Sequence, residues 1–309
     1  MGAYAELDSL IALQAKARGF SLLHTQPAHS LLYGRRASHV RGRGLDFEEL
    51  REYVAGDDVR SIDWRVTART TKPYFRVYSE ERDRPTMLVV DQRINMFFGS
   101  RVSMKSVVAA EISALAAWRV FQQGDRVGAF VFNDDQTGAV RIHRSRGNVL
   151  RILDLVALQN KALHGDSPVR SRPERLNEVL RAVSGVCRHD ALIVISSDFD
   201  GADGTTRDLL VRLSQSNDVI CCLTYDPFGV KLPAVDQLVV SDGELQVELS
   251  LGQEKIRKSI LRASEGRIKT ILAWHSELGI PVLPISTADS VPQQLRHLLG
   301  QVSFIRKRR

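Results

Sequence analysis

The chain predicts an α/β fold in which a doubly wound, mostly parallel sheet carries helices on both faces. Three stretches point to it. Residues 87–90 form an unbroken apolar run that ends in Asp91, followed by an irregular loop closed by Gly99 and by helical spacing from about 103 to 121. Residues 191–196 repeat the pattern and run into Ser197-Asp198-Phe199-Asp200, ahead of helical spacing over 206–214. Residues 219–225 are a third run of the same kind. Strands covered on both faces read as continuous apolar runs, and their alternation with helices is the pattern of a parallel sheet. Ligands of such sheets bind beyond the carboxyl ends of the strands, which is where Asp91 and Asp198 stand.

The other elements follow in order. Leu7, Leu10, Ile11, Leu13 and Ala17 lie near helical spacing and predict a helix over 4–20, ended around Gly19. Residues 24–44 are irregular, with a basic cluster at Arg35, Arg36, Arg41 and Arg43. Gly42-Arg43-Gly44 lacks the lysine-serine of a P-loop and the third glycine of a dinucleotide turn, which excludes both. Asp46 is placed to cap a short helix carrying Phe47, Leu50 and Tyr53, and Gly56-Asp57-Asp58 is a turn. Ile62, Trp64 and Val66 then alternate with Asp63 and Arg65. A turn at Pro73 leads to an extended segment through Glu81, and the domain boundary falls at 84/85, giving an N-terminal segment 1–84 and a main domain 85–309. Within the main domain, 126–132 and 139–143 read as strands and 148–158 and 174–183 as helices. Alternating runs at 237–240 and 245–249 flank Asp242-Gly243, a hairpin signal. A long helix over 253–278, a strand over 281–285 and a helix over 291–299 complete the chain.

Composition narrows the function classes. The 309 residues are 43% hydrophobic and 26% charged, ordinary for a globular protein. No run approaches the roughly 18 apolar residues of a membrane span, and the first residues carry Glu6, Asp8, Lys16 and Arg18 where a signal peptide would be apolar. Cys187, Cys221 and Cys222 lie in or beside apolar segments and form no framework, so reduced, buried thiols and a cytoplasmic location are expected. Four charges of the net +7 sit in residues 306–309, and the rest are interleaved with acids, so no nucleic-acid partner is expected. The eight histidines show no metal-ligand spacing.

The densest pattern lies ahead of the sheet. Phe47, Glu49, Arg51, Tyr53, Gly56-Asp57-Asp58, Arg60, Ile62-Asp63-Trp64 and Ala68-Arg69 fall within a short stretch. Arginines among acids beside Tyr53 and Trp64 have the composition of an ion-pair network that orders a loop, or of a charged surface presented to a partner. With the segments around 75–81 and 87–100, this pattern closely resembles the bacterial domain of unknown function 58 family. Members look like von Willebrand factor type A domains preceded by a family-specific segment, and the resemblance implies that this chain is one of the short members without transmembrane helices.

Type A domains commonly hold Mg²⁺ through Asp-x-Ser-x-Ser, a distant threonine and a late aspartate. The matching positions here are Asp91, Arg93 and Asn95, with Asp198 as the late aspartate; Ser167 is the nearest stand-in for the threonine. Arginine offers no lone pair and brings a competing charge, so Arg93 is expected to be the internal counter-ion of Asp91 and Asp198; the alternative kept open is a Mg²⁺ ion held by Asp91, Asn95 and Asp198. The resemblance further implies a non-enzymatic interaction or adaptor protein that acts with an AAA+ ATPase of the MoxR type on a client protein. The expected contact residues are Arg51, Tyr53, Asp57, Asp58, Arg60, Asp63, Trp64 and Arg69 in the first segment, and Asp91, Arg93, Asn95, Phe97 and Phe98 at the strand end. The alternative is a Mg²⁺-dependent hydrolase using Asp91 and Asp198.

Overall fold

The computed structural model describes residues 3–20, 22, 45–54, 59–70, 72–80, 84–164, 170–229, 237–241, 246–250 and 254–304. The chain divides into two compact units, one of Met1–His24 with Arg84–Arg309 and one of Thr25–Asp83. The first two dozen residues thus group with the stretch from Arg84 onward rather than with the segment that follows them.

Residues 3–22 carry α1 (Leu7–Ala12), which tightens into a 3₁₀ turn over Leu13–Ala15, a shorter helix than the spacing predicts. In the smaller unit, β1 (Leu45–Glu52) precedes α2 (Trp64–Thr70) and β2 (Tyr74–Glu80). The short helix expected after Asp46 is a strand: β1 pairs antiparallel with β2, Leu45 opposite Glu80 and Glu52 opposite Tyr74, with an irregularity between Phe47 and Glu49. Pairing with a distant strand satisfies backbone groups that one exposed helical turn would leave to water. The alternation through Trp64 is likewise not a strand. Ile62 alone bridges to Phe75, and Asp63 Oδ1 accepts from the amides of Arg65 at 3.0 Å and Val66 at 3.2 Å. That side-chain cap starts α2 and overrides the apolar alternation.

The larger unit continues with β3 (Thr86–Asp91), α3 (Lys105–Gln122), β4 (Val127–Phe132), β5 (Thr137–His143), α4 (Arg146–Lys161), α5 (Arg175–Val186), β6 (Leu192–Ser197), α6 (Gly204–Ser216) and β7 (Asp218–Tyr225). The antiparallel hairpin β8 (Gln237–Ser241) and β9 (Gln246–Ser250), then α7 (Glu254–Leu278), β10 (Val282–Ser286) and α8 (Val291–Phe304), follow. The sheet order is β10-β7-β6-β3-β4-β5, parallel except for β5 at one edge. This is the α/β, mostly parallel architecture read from the three apolar runs. Successive residues of β3 feed opposite faces: Leu88 and Val90 pack with α1, α3, α4 and α8, whereas Met87 and Val89 pack with α5, α6 and α7.

The N-terminal residues belong to the first face. α3 carries Ala109, Ala110, Ala114, Ala116 and Ala117, all buried, and this small-residue surface lets neighbours approach closely. Leu10, Ala17, Phe20 and Leu22 bury themselves in the same core, and Trp118 Nε1 donates to the Leu10 carbonyl at 3.1 Å.

The chain builds β3, fills one side with β4 and β5, then returns to place β6 on the other side. The strand direction of growth therefore reverses between β3 and β6. Asp91 and Asp198 end or follow those two strands, at the switch point where folds of this kind bind ligands.

Candidate functional site

Asp91, the last residue of β3, is fully buried, and Arg93 is 1% exposed. The two form a bidentate pair: Arg93 Nη2 lies 2.7 Å from Asp91 Oδ2, and Nε lies 3.1 Å from Oδ1 and 3.2 Å from Oδ2. The Arg93 amide also donates to Oδ1 at 3.0 Å, so the loop bends back onto its own strand end. The guanidinium's remaining nitrogen, Nη1, donates to the carbonyls of Pro173 and Asp200, each at 3.2 Å. Burial works against the charge on Arg93, but the carboxylates of Asp91, Asp198 and Asp200 outweigh it and raise its pKa above the ordinary value.

A second cation completes the cluster. Lys105, the first residue of α3, is buried and pairs through Nζ with Asp198 Oδ2. Asp198 Oδ1 accepts from Asn95 Nδ2 at 2.9 Å and from the Asp200 amide at 3.0 Å. Burial alone would raise the Asp198 pKa; Lys105, Arg267 and Arg93 overcome it and hold the carboxyl below the usual carboxylate range. Arg267 of α7 in turn pairs with Asp200. Ser197 ties the end of β6 to that of β3, donating to Asp91 Oδ2 at 2.6 Å and accepting from the Phe199 amide at 2.8 Å. Phe199 is held at φ +54, a left-handed conformation that is uncommon outside glycine, with its buried ring edge-on to Trp274.

The loop beyond Arg93 is fixed along its length. Asp134, in the turn after β4, accepts from the amides of Ile94 at 2.6 Å and Arg172 at 2.7 Å, and burial raises its pKa. Gln92 Nε2 donates to the Ser106 carbonyl, and its Oε1 accepts from Asn160, whose own Oδ1 accepts from the Ala5 amide. Asp226, just past β7, accepts from both the amide and hydroxyl of Ser100 and from the Thr287 hydroxyl. A Cβ on Gly99 would lie 2.1 Å from the Ser103 carbonyl oxygen, so the loop closes only with glycine there.

These residues do not fit a divalent cation. All four carboxylate oxygens of Asp91 and Asp198 already accept from positively charged or backbone donors. Asn95 presents its Nδ2 to Asp198, while its Oδ1 is buried without a partner. Mg²⁺ takes oxygen ligands, and entry here would require expelling two cationic side chains. Among the described residues, no group of three or more histidine, cysteine, aspartate or glutamate side chains has metal-binding geometry. The thiols offer no nucleophile at the site either: all three are buried, and burial pushes Cys187 up to about 11 and Cys222 up to about 12.

A family model described as "Protein of unknown function DUF58" matches residues 49–268, from within β1 into α7. The chain belongs to the DUF58 family. Uncharacterized protein Rv1480 of Mycobacterium tuberculosis and Uncharacterized protein Mb1516 of Mycobacterium bovis are each 30% identical to this DUF58 chain over 277 residues, covering 89% of it and 85% of the relative. Among solved structures, the crystal structure of the conserved hypothetical protein BatB from Bacteroides thetaiotaomicron aligns with a TM-score of 0.40 and 11% identity, over 72% of this chain and 99% of that one. The DUF58 fold assignment rests on the strand order and helix placement themselves.

The structure brings Asp91, Arg93, Asn95 and Asp198 together in this DUF58 chain. Asp91 and Arg93 are buried and present no surface of their own to a partner. Phe97 and Phe98 are half-buried and engaged internally, Phe97 stacked on Tyr4 at 5.6 Å and Phe98 edge-on to Phe228 at 5.7 Å. In the smaller unit, Asp63 is buried as the cap of α2, the Tyr53 amide donates to the Pro73 carbonyl, and Arg51 lies 4.8 Å over the Phe75 ring. Arg60, Trp64 and Arg69 are exposed. Asp57, Asp58 and Ser167 lie outside the described residues, as do the basic cluster at 35–43 and the tail 305–309.

Sequence reasoning missed Lys105, Ser197, Asp134 and Asp226. Lys105 had a legible signal: a cation in the first turn of an apolar helix opposes the helix dipole and calls for a nearby acid. Ser197 and the turn aspartates had none, because their roles depend on which loops the fold places side by side.

Proposed function

We propose that this DUF58 chain is a non-enzymatic, cytoplasmic adaptor that acts with an AAA+ ATPase of the MoxR type on a client protein. The observation that carries the reading is the state of the switch-point carboxylates. At the position where the fold would place a metal or a catalytic acid, Asp91 and Asp198 are neutralised by Arg93 and Lys105 and hydrogen-bonded to Ser197 and Asn95. A buried carboxylate committed to a bidentate arginine is a poor base and a poor ligand. The cluster instead fixes the loop 92–104, whose exposed tip, Ser100 to Val102, stands at the strand-end edge.

The choice of partner rests on the family resemblance and the absence of a phosphate-binding loop in the sequence. No helix among the described residues is long and apolar enough to cross a membrane. The Mg²⁺-dependent hydrolase reading loses ground because both of its carboxylates are spent on internal cations. Co-purification of the tagged chain with a MoxR-type ATPase from the same organism tests the proposal. Stable association is expected, with no phosphatase or esterase activity in the chain alone; a folded chain that fails to associate with or without nucleotide overturns it.

A further inference from the structure

Trp64 is 67% exposed, whereas the other two tryptophans, Trp118 and Trp274, are 0% and 4% exposed. A large aromatic left in water is more informative than a buried one. Its setting is equally specific. Residues 64, 65, 68 and 69 are all exposed, and at 100° per residue they sweep one contiguous arc of α2: Trp64, Ala68, Arg65, Arg69. The turn that leads into the helix leaves Val59, 57% exposed, and Arg60 at the surface. The buried Asp63 carboxylate is committed to capping α2, so the arc's arginines are not balanced from their own helix.

We infer that this face of α2 is a docking site for an acidic protein segment that carries an apolar side chain for Trp64. The inference rests on the adaptor reading and adds the chemistry of the partner. Charge complementarity selects the occupant: guanidinium groups of Arg65 and Arg69 pair bidentately with carboxylates, while Trp64 and Ala68 between them form a flat apolar contact. Tryptophan and arginine together are the composition of binding hot spots. A nucleic acid would need a continuous basic track, but the described part of this unit has six acidic and six basic residues and no net basic charge.

The only strongly exposed tryptophan is its own reporter. The full-length chain is titrated with a short peptide of glutamates around a central leucine pair, following tryptophan emission and its quenching by iodide, with a lysine-for-glutamate peptide, an all-glutamate peptide and oligo-dT as comparisons. The acidic-apolar peptide is expected to shift the emission and protect it from iodide, with weakening as salt rises. By peptide anisotropy, Trp64→Ala is expected to weaken binding about tenfold or more, and Arg65→Glu with Arg69→Glu to abolish it. Near-ultraviolet dichroism identical to wild type shows that each variant is folded. Equal binding by wild type and both variants, preference for oligo-dT or the lysine peptide, or self-association of the chain lost on Trp64→Ala would overturn the inference. The adaptor reading fails separately: a wild-type chain that binds the acidic peptide but no MoxR-type ATPase keeps the docking site and sinks that partner, whereas ATPase binding unaffected by Trp64→Ala, with no peptide bound, does the reverse.

Discussion

Arg93 and Lys105 place two single positive charges against Asp91 and Asp198, and the consequences can be weighed residue by residue. Both pairs are buried, so removing one partner strands the other in a poorly solvated place. Arg93→Met is expected to cost about 3–5 kcal/mol, read from urea unfolding; a loss below about 1 kcal/mol, typical of surface pairs, would contradict the assigned role. The pH dependence follows from the sign of the Asp198 shift. Its folded pKa lies below the ordinary value, so its stabilisation is present above the unfolded pKa of about 3.9 and is lost as pH falls through the folded one. Lys105→Met removes the strongest favourable charge on that carboxylate, and the acid limb of the stability curve should move to higher pH. Asp134 works in the opposite sense, because burial raises its pKa and its contribution declines as pH rises. An acid limb unchanged by Lys105→Met would separate Asp198 from acid unfolding.

At the scale of elements, the loop 92–104 and the N-terminal helix are the parts that the rest of the unit is built to hold. Gly99 is pressed against the Ser103 carbonyl, and Gly99→Ala is expected to cost about 1–3 kcal/mol and to speed hydrogen exchange at the Ser100 amide, now bound to Asp226. Unchanged exchange would mean that the loop has room to adjust. Deleting residues 1–22 would strip Leu10, Phe20 and Leu22 from the core over α3 and unpair Trp118 Nε1. Binding of a hydrophobic dye and a lower melting temperature are expected; a deletion variant that melts like the full chain would contradict the assignment of this helix to the sheet unit. Elements with strong local signals were legible, as the three apolar runs became β3, β6 and β7. The segments 45–52 and 62–70 were not, since β1 is decided by a partner strand beyond α2 and α2 by one cap at Asp63. Periodicity over a few residues carries neither fact.

For the whole molecule, the fold was legible because a doubly wound sheet repeats one signal several times, and its switch point followed from strand order once β6 returned beside β3. Asp91, Arg93, Asn95 and Asp198 could be nominated from the resemblance and from the charge of Arg93. Lys105 and Ser197 depended on contacts between distant segments, and the way the first two dozen residues join the sheet unit depended on packing over α3. What emerges is a strand-end carboxylate cluster that carries its own cations, and the proposed recognition chemistry lies on exposed residues such as those of α2. Isothermal titration of the purified chain with Mg²⁺, paired with melting in Mg²⁺ and in EDTA, tests that claim most directly. The account predicts no saturable heat and one melting temperature in both buffers; saturable Mg²⁺ binding that disappears in Asp91→Ala would contradict it.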